Sequence, residues 1–133
     1  MQKLEPIDLS EPICEDELYD KTWALWGGPA QIDVLVEEMA ELTQALMKSR
    51  RHGGRESVTY TYAIYEETAD VCIMLGQLIR RLESFPVMDE PGVSCLMDRV
   101  TEIMDRKHRQ IAEHYNKSLL RHMEDEDEAR RPA

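Results

Sequence analysis

Residues 63–79 read AIYEETADVCIMLGQLI, and this stretch decides the fold. Its apolar residues cover nearly every side of an α-helix, which is the pattern of a helix that is buried in a protein. Glu67 and Asp70 lie in its first half, flanked by Ala63, Val71 and Met74. Because an unpaired buried carboxylate is strongly unfavourable, such groups are normally paired with cations or bound to a metal ion. The stretch therefore predicts a buried helix whose acids have a specific partner.

A second acidic cluster, EEMAE at residues 37–41, precedes this helix and lies in a segment that also has helical apolar periodicity. Residues three apart project from nearly the same side of a helix, so Glu38 with Glu41 and Glu67 with Asp70 each form a pair. At about 100° per residue, Glu38 falls at the margin of the apolar stripe. Two such pairs on facing helices predict a site of four carboxylates, which suits Mg²⁺ and the phosphates that it carries.

Other interpretations of the acids remain open at this point. They could line a solvated helix face, or they could form salt bridges with Arg50, Arg51 or Arg106. A di-iron carboxylate bundle requires Glu-x-x-His on two helices, and no histidine follows a glutamate at that spacing. Zinc is disfavoured because neither cysteines nor histidines are clustered.

The apolar periodicity predicts an all-α fold: a helical bundle with two long central helices that carry the four-carboxylate site, completed by oligomerisation. Residues 1–10 are predicted to be an irregular arm, 11–120 a single domain and 121–133 an acidic, disordered tail. The predicted helices span about residues 11–26 (with Ser10 as N-cap), 30–51, 60–84 and from 93 or 94 towards 115.

Composition excludes several classes of protein. The chain has 133 residues with 27 acids against 16 basic residues, and its net charge of −11 repels a nucleic-acid backbone. The three cysteines show no CxxC spacing and indicate free thiols in a reducing compartment. No apolar run approaches the roughly 20 residues of a membrane span, and the start is too acidic for a signal peptide. These features predict a cytoplasmic protein that binds neither nucleic acid nor membrane.

The two acidic motifs together resemble those of the MazG-like, all-α nucleoside triphosphate pyrophosphohydrolases. The resemblance covers roughly residues 23–115, and the flanking Trp26-Gly27, Gln31 and Ala69-Asp70-Val71 look like phage and bacterial members. It implies hydrolysis of a nucleotide between its α- and β-phosphates, which gives a monophosphate and pyrophosphate. It also implies dependence on Mg²⁺, with Mn²⁺ as a substitute, and assembly as a homodimer or homotetramer.

The resemblance assigns roles to particular residues. It makes Glu38, Glu41, Glu67 and Asp70 the metal ligands and catalytic residues. Phosphates also need cations, and the chain offers them after the second predicted helix and on the fourth. The predicted substrate-binding residues are Trp26, Gln31, Lys48, Arg51 and Lys107, of which Lys107 matches a basic position of the family.

Base preference stays open in the sequence. Trp23 and Trp26 can stack on a base or can anchor the first helix in a small core. Some deoxycytidine-preferring relatives carry an aromatic residue four positions after the Asp of Glu-x-x-Asp, where this chain has Met74.

Two alternatives to a nucleoside triphosphate pyrophosphohydrolase also remain. One is a phosphoribosyl-ATP pyrophosphohydrolase, which shares the metal helices of the family and differs in substrate. The other is a non-catalytic helical interaction module whose acids are held in salt bridges. A module of that kind would not be stabilised by Mg²⁺, which separates it from either enzyme.

Overall fold

The computed structural model describes residues 4–52, 58–86 and 94–131, which form four α-helices and no β-strand within these ranges. The helices are α1 (Glu15–Trp26), α2 (Gly28–Arg51), α3 (Val58–Glu83) and α4 (Leu96–Ala129). The predicted all-α class is therefore confirmed. In the described ranges, none of the helices combines the length and apolar character needed to cross a membrane.

The chain divides into two compact units, Met1–Phe85 and Pro86–Ala133. The boundary falls at the start of the Pro- and Gly-containing stretch between the third and fourth predicted helices. Helices α1, α2 and α3 belong to the first unit, and α4 belongs to the second. The single domain over residues 11–120 stays a prediction, because periodicity along a chain does not report which helices group together.

The first unit is built on the antiparallel pair of α2 and α3. Lys48, late in α2, lines a cleft together with Tyr60, early in α3, whereas Glu38 approaches Asp70 further along α3. Contacts between α2 and α3 form the main helix–helix interface of the unit. The buried apolar side chains lie on these two helices: Leu35, Ala45, Val71 and Met74.

The first helix begins later than its predicted start near residue 11. Its N-cap is Cys14, and the predicted cap, Ser10, instead donates its backbone N–H to the Asp8 carboxylate at 2.9 Å. A turn of that kind competes with helix formation, since Asp and Ser side chains bond readily to nearby backbone groups. After α1, Gly27 takes a positive φ of 84°, a conformation that favours glycine, and it redirects the chain into α2.

The fourth helix starts at a well-formed cap. The Asp98 carboxylate accepts hydrogen bonds from the backbone N–H of Cys95 at 3.0 Å and from the Ser94 hydroxyl at 2.7 Å. At the other end, α4 continues to Ala129 and so includes residues 121–129, which were predicted to be disordered. Glutamate is a good helix former, and Glu126 lies 3.6 Å from His122 and 3.8 Å from Arg130, each one helical turn away.

Candidate metal centre

Three carboxylates from two helices converge in the first unit. One oxygen each from Glu38 of α2 and from Glu67 and Asp70 of α3 lies within 4.8 Å of the other two. Glu38 and Glu67 are half-buried, and Asp70 is exposed. The three-residue step on α3 puts its two acids on one side of the helix, and the antiparallel pairing brings Glu38 to them. We call these three residues the carboxylate cluster.

Glu67 is surrounded by other acids. Its burial raises its pKa above the ordinary 4.5, and the negative charge of Glu41, a hydrogen bond with Glu41 and the charges of Asp70 and Glu38 raise it further. Its Oε2 atom is buried and has no hydrogen-bond partner in the described part of the chain. Glu41 thus lies outside the group of three, but its charge and its hydrogen bond raise the pKa of Glu67.

Glu38 shows the same effect. Burial is the main cause of its raised pKa, and the charges of Asp70, Glu41 and Glu37 add to it. Glu37 itself is exposed. Like charges held together in this way destabilise each other unless a cation or a proton compensates them.

Arginine and lysine do not provide that compensation in the first unit. Within residues 4–52 and 58–85, no basic side chain forms an ion pair with Glu38, Glu67 or Asp70. The alternative of salt bridges to Arg50 or Arg51 is therefore not what the structure shows. The donor set consists of carboxylate oxygens, one of them buried without a partner, and oxygen ligands of this kind are those that Mg²⁺ and Mn²⁺ prefer.

A cleft of about 200 Å³ adjoins the cluster. Glu41 and Glu67 line it together with Lys48 and Tyr60, and the remaining lining residues are Gln44, Ala45 and Ala63. Lys48 was predicted to bind substrate, and here its side chain lines the same cleft as two of the acids. We call this space the Lys48 cleft.

Tyr60 is a cleft residue that the acidic motifs do not predict. It stacks on His52 with the ring centroids 4.6 Å apart, which joins the end of α2 to the start of α3. The signal was present in the sequence. Tyr60 precedes Glu67 by seven residues, and Lys48 follows Glu41 by seven. Seven residues are close to two helical turns, so each of them lies on the same side of its helix as the acid.

The other predicted substrate-binding residues lie elsewhere. Trp26 is 60% exposed and lines an apolar groove with the N-terminal residues Leu4 and Ile7. Gln31 is buried on α2, and Arg51 is the exposed last residue of that helix. The structure does not place these three in the carboxylate cluster or the Lys48 cleft.

Other basic residues predicted to contact phosphate lie outside the first unit or outside the described residues. Lys107 lies on α4, in the second unit, and its role stays a prediction. Arg55, a further candidate for contact with phosphate, lies outside the described residues.

Comparisons with protein-family models, with curated proteins and with solved structures give no match to this chain. The resemblance to the pyrophosphohydrolases consequently depends on the two acidic motifs and their flanking residues alone.

Proposed function

We propose that this chain is a Mg²⁺-dependent nucleotide pyrophosphohydrolase that cleaves a (deoxy)nucleoside triphosphate to a monophosphate and pyrophosphate. The observation that supports this most strongly is the convergence of Glu38, Glu67 and Asp70 without a basic partner from their own unit. The buried, unpartnered Oε2 of Glu67 adds to it. The resemblance of both acidic motifs to one enzyme family points to the same chemistry.

The residues divide into three roles in this proposal. Glu38, Glu67 and Asp70, with Glu41 beside them, hold the divalent cation. Bound Mg²⁺ supplies charge neutralisation for the phosphates and a lowered pKa for a coordinated water. Glu41 accepts the proton of the attacking water, because it adjoins the cluster without belonging to the closest group.

Lys48 has the third role. Lys48 lines the cleft together with Glu41 and Glu67, and its ammonium group attracts the phosphate chain. Attack by water breaks the anhydride bond between the α- and β-phosphates, and pyrophosphate leaves with the bonding electrons. The Lys48 ammonium group offsets the negative charge that this leaving group carries.

The cellular setting follows from the cysteines and from the charge. Cys14, Cys72 and Cys95 are free thiols, which supports a reducing compartment such as the cytoplasm. The net charge of −11 makes a small metal-bound nucleotide a more suitable substrate than a nucleic acid. We further propose that the chain acts as a homodimer or homotetramer.

Product identity tests this function. Purified protein is incubated with Mg²⁺ and, separately, dCTP, dUTP, dTTP, dATP, dGTP and phosphoribosyl-ATP, and the products are separated by anion exchange. We expect monophosphate and pyrophosphate in equal amounts from at least one nucleoside triphosphate. Diphosphate together with orthophosphate would reject the mechanism. Cleavage of phosphoribosyl-ATP alone would favour the alternative of a phosphoribosyl-ATP pyrophosphohydrolase.

Paired variants give this test its control. Glu38→Gln and Asp70→Asn should each lower turnover at least about a hundredfold, since the loss of an outer partner alone costs a metal site about 10- to 100-fold. Glu37→Gln is the matched control, because its carboxylate is exposed and lies outside the cluster. Equal losses in Glu37→Gln and Glu38→Gln would contradict the assignment of the ligands.

A further inference from the structure

A cleft of about 450 Å³ lies between α1 and α3, and the carboxylate cluster contributes no residue to it. On the α1 side it is lined by the rings of Tyr19 and Trp23, and on the α3 side by Gln77, Arg80 and Arg81. A planar ring can stack on aromatic side chains, and a few polar groups in such a pocket fix its orientation. The lining therefore suits a flat, polar heterocycle. We call this space the α1–α3 cleft.

Gln77 is the polar group of this cleft that lacks a protein partner. Its side chain is buried, with 6% of the residue exposed, and its Oε1 atom accepts no hydrogen bond within the described residues. A buried acceptor without a donor is unfavourable, and an N–H group of a ligand would satisfy it. The terminal torsion of a glutamine is soft, so a small rotation turns this carbonyl towards a bound ring.

The two arginines of the cleft differ in what they already bind. Arg80 donates to the Asp20 carboxylate at 2.9 Å and thereby joins α3 to α1. Arg81 lies over the rings of Trp23 and Phe85, 5.9 Å and 4.5 Å from their centroids, and has no carboxylate partner among the described residues. Its guanidinium N–H groups are therefore available to a carbonyl oxygen of a ligand.

The positions along α3 relate this cleft to the metal centre. Gln77 follows Asp70 by seven residues, which is close to two turns and about 10 Å along the helix on nearly the same side. The Lys48 cleft lies in the opposite direction, because α2 and α3 are antiparallel. A nucleotide whose phosphates lie towards Lys48 would thus direct its base towards Gln77.

We propose that the α1–α3 cleft is the base-binding subsite, and that Gln77 and Arg81 select bases that carry both an N–H donor and a carbonyl oxygen. Cytosine, uracil, thymine and guanine meet this requirement, whereas adenine has no carbonyl oxygen. Gln77 accepts the N–H and Arg81 donates to the carbonyl, four residues apart on one side of α3. This inference rests on the proposed function and adds the choice of base to it.

Binding without metal or turnover provides the test. Trp23 is observed by fluorescence in a Trp26→Phe background, in EDTA, while dCMP, dTMP, dGMP or dAMP is added. We expect saturable quenching by at least one of the first three and about tenfold weaker binding of dAMP, the ratio that corresponds to 1.4 kcal/mol. No saturable quenching by any of the four, or equal binding of all four, would overturn the inference.

Variants separate recognition of the base from folding. Gln77→Met should weaken the best ligand about tenfold, and Arg81→Met should remove the discrimination against dAMP. Arg81 is exposed, so its replacement does not depend on repacking a core. Arg50→Met, which removes an exposed arginine from outside the cleft, is the matched control and should leave the order of the four ligands unchanged. An unchanged order in Arg81→Met would contradict the proposed selection.

Hydrolysis measured in parallel distinguishes the two proposals. Glu38→Gln should lose turnover and keep the Trp23 response, because the α1–α3 cleft contains none of the carboxylate cluster. Loss of the Trp23 response in a protein that still hydrolyses nucleotides rejects the base subsite alone. A normal response in a wild-type protein that hydrolyses none of the substrates rejects the enzymatic proposal.

Discussion

Glu67 combines partial burial, three acidic neighbours and a buried oxygen without a hydrogen bond. Each of these disfavours its charged form, so the folded chain binds a proton at Glu67 more tightly than the unfolded chain does. That proton stabilises the fold fully below the unfolded pKa, near 4.5, and the contribution is lost as the pH rises through the raised pKa. Without a cation, the charged Glu67 therefore lowers the free energy of unfolding at neutral pH.

A pH series of melting temperatures in EDTA tests this prediction. Glu67→Gln carries no titrating group at this position and should remain neutral throughout. From about pH 4.5 to about pH 7, the wild type should lose stability relative to this variant. Parallel curves for the two proteins would exclude a raised pKa at Glu67.

Divalent cations should restore the stability that the charged Glu67 removes. At a hundredfold excess over its dissociation constant, Mg²⁺ should stabilise the wild type by about 2.7 kcal/mol. The shift should be larger at neutral pH than at acidic pH, because protons compete for the same oxygens. Glu67→Gln should lose most of the response. A melting temperature that is the same in Mg²⁺ and in EDTA would favour a non-catalytic module.

Local spacing predicted part of the site and tertiary packing determined the rest. The three-residue step within residues 66–70 puts Glu67 and Asp70 on one side of α3 and depends on helix geometry alone, whereas the packing of α2 against α3 brings Glu38 to them. The α1–α3 cleft was not predictable in this way. Gln77 occupies an otherwise apolar stretch, and the lack of a partner for its Oε1 emerges only when α1 packs against α3.

At the level of the elements, two glycines let α1 approach closely. A methyl group on Gly76 of α3 would lie 3.0 Å from the Tyr19 ring and hydroxyl, and one on Gly28 would lie 3.0 Å from the Trp23 ring. Both rings line the α1–α3 cleft. The glycines therefore determine how near these aromatic side chains come to the helices behind them.

Gly76→Ala tests this packing. Helix propensity alone would make the substitution stabilising by about 0.5–1 kcal/mol. Because Tyr19 must move, we expect a net loss of about 1–3 kcal/mol instead, measured by urea unfolding. In a Tyr19→Ala background the contact is gone, and the same substitution should become stabilising. Equal effects in both backgrounds would show that Tyr19 does not restrict the position.

The ends of the helices show where sequence patterns are weakest. After Leu120 the chain has few apolar residues to bury, and the run of acids at residues 124–128 suggested disorder. Helix nevertheless continues to Ala129, and Glu126 lies one turn from both His122 and Arg130 in this segment. Before α1, the Ser10 hydroxyl donates a hydrogen bond to the Asp8 carboxylate and does not cap the helix.

For the molecule as a whole, the described residues bury few apolar side chains relative to those that they expose. Four are buried on α2 and α3, whereas Val36 is 61%, Met39 50%, Tyr65 65% and Ile73 45% exposed on the same helices. Exposed apolar residues that recur along a helix commonly mark a surface covered by another chain. A second copy of the chain is the partner that a symmetric assembly would supply.

Light scattering tests this assembly at micromolar concentration, where we expect a mass at least twice the 15.5 kDa of one chain. Ile73→Arg places a charge on the exposed face of α3 and should shift the mass to that of the monomer, since an unpaired charge is unfavourable in a dry interface. The substitution also reduces the net negative charge, so dissociation could not be attributed to general repulsion. Leu9→Arg makes the same change at an 82% exposed site outside the helices and should leave the mass unaltered. A wild-type mass near 15.5 kDa would show that this apolar face has no second copy to cover it.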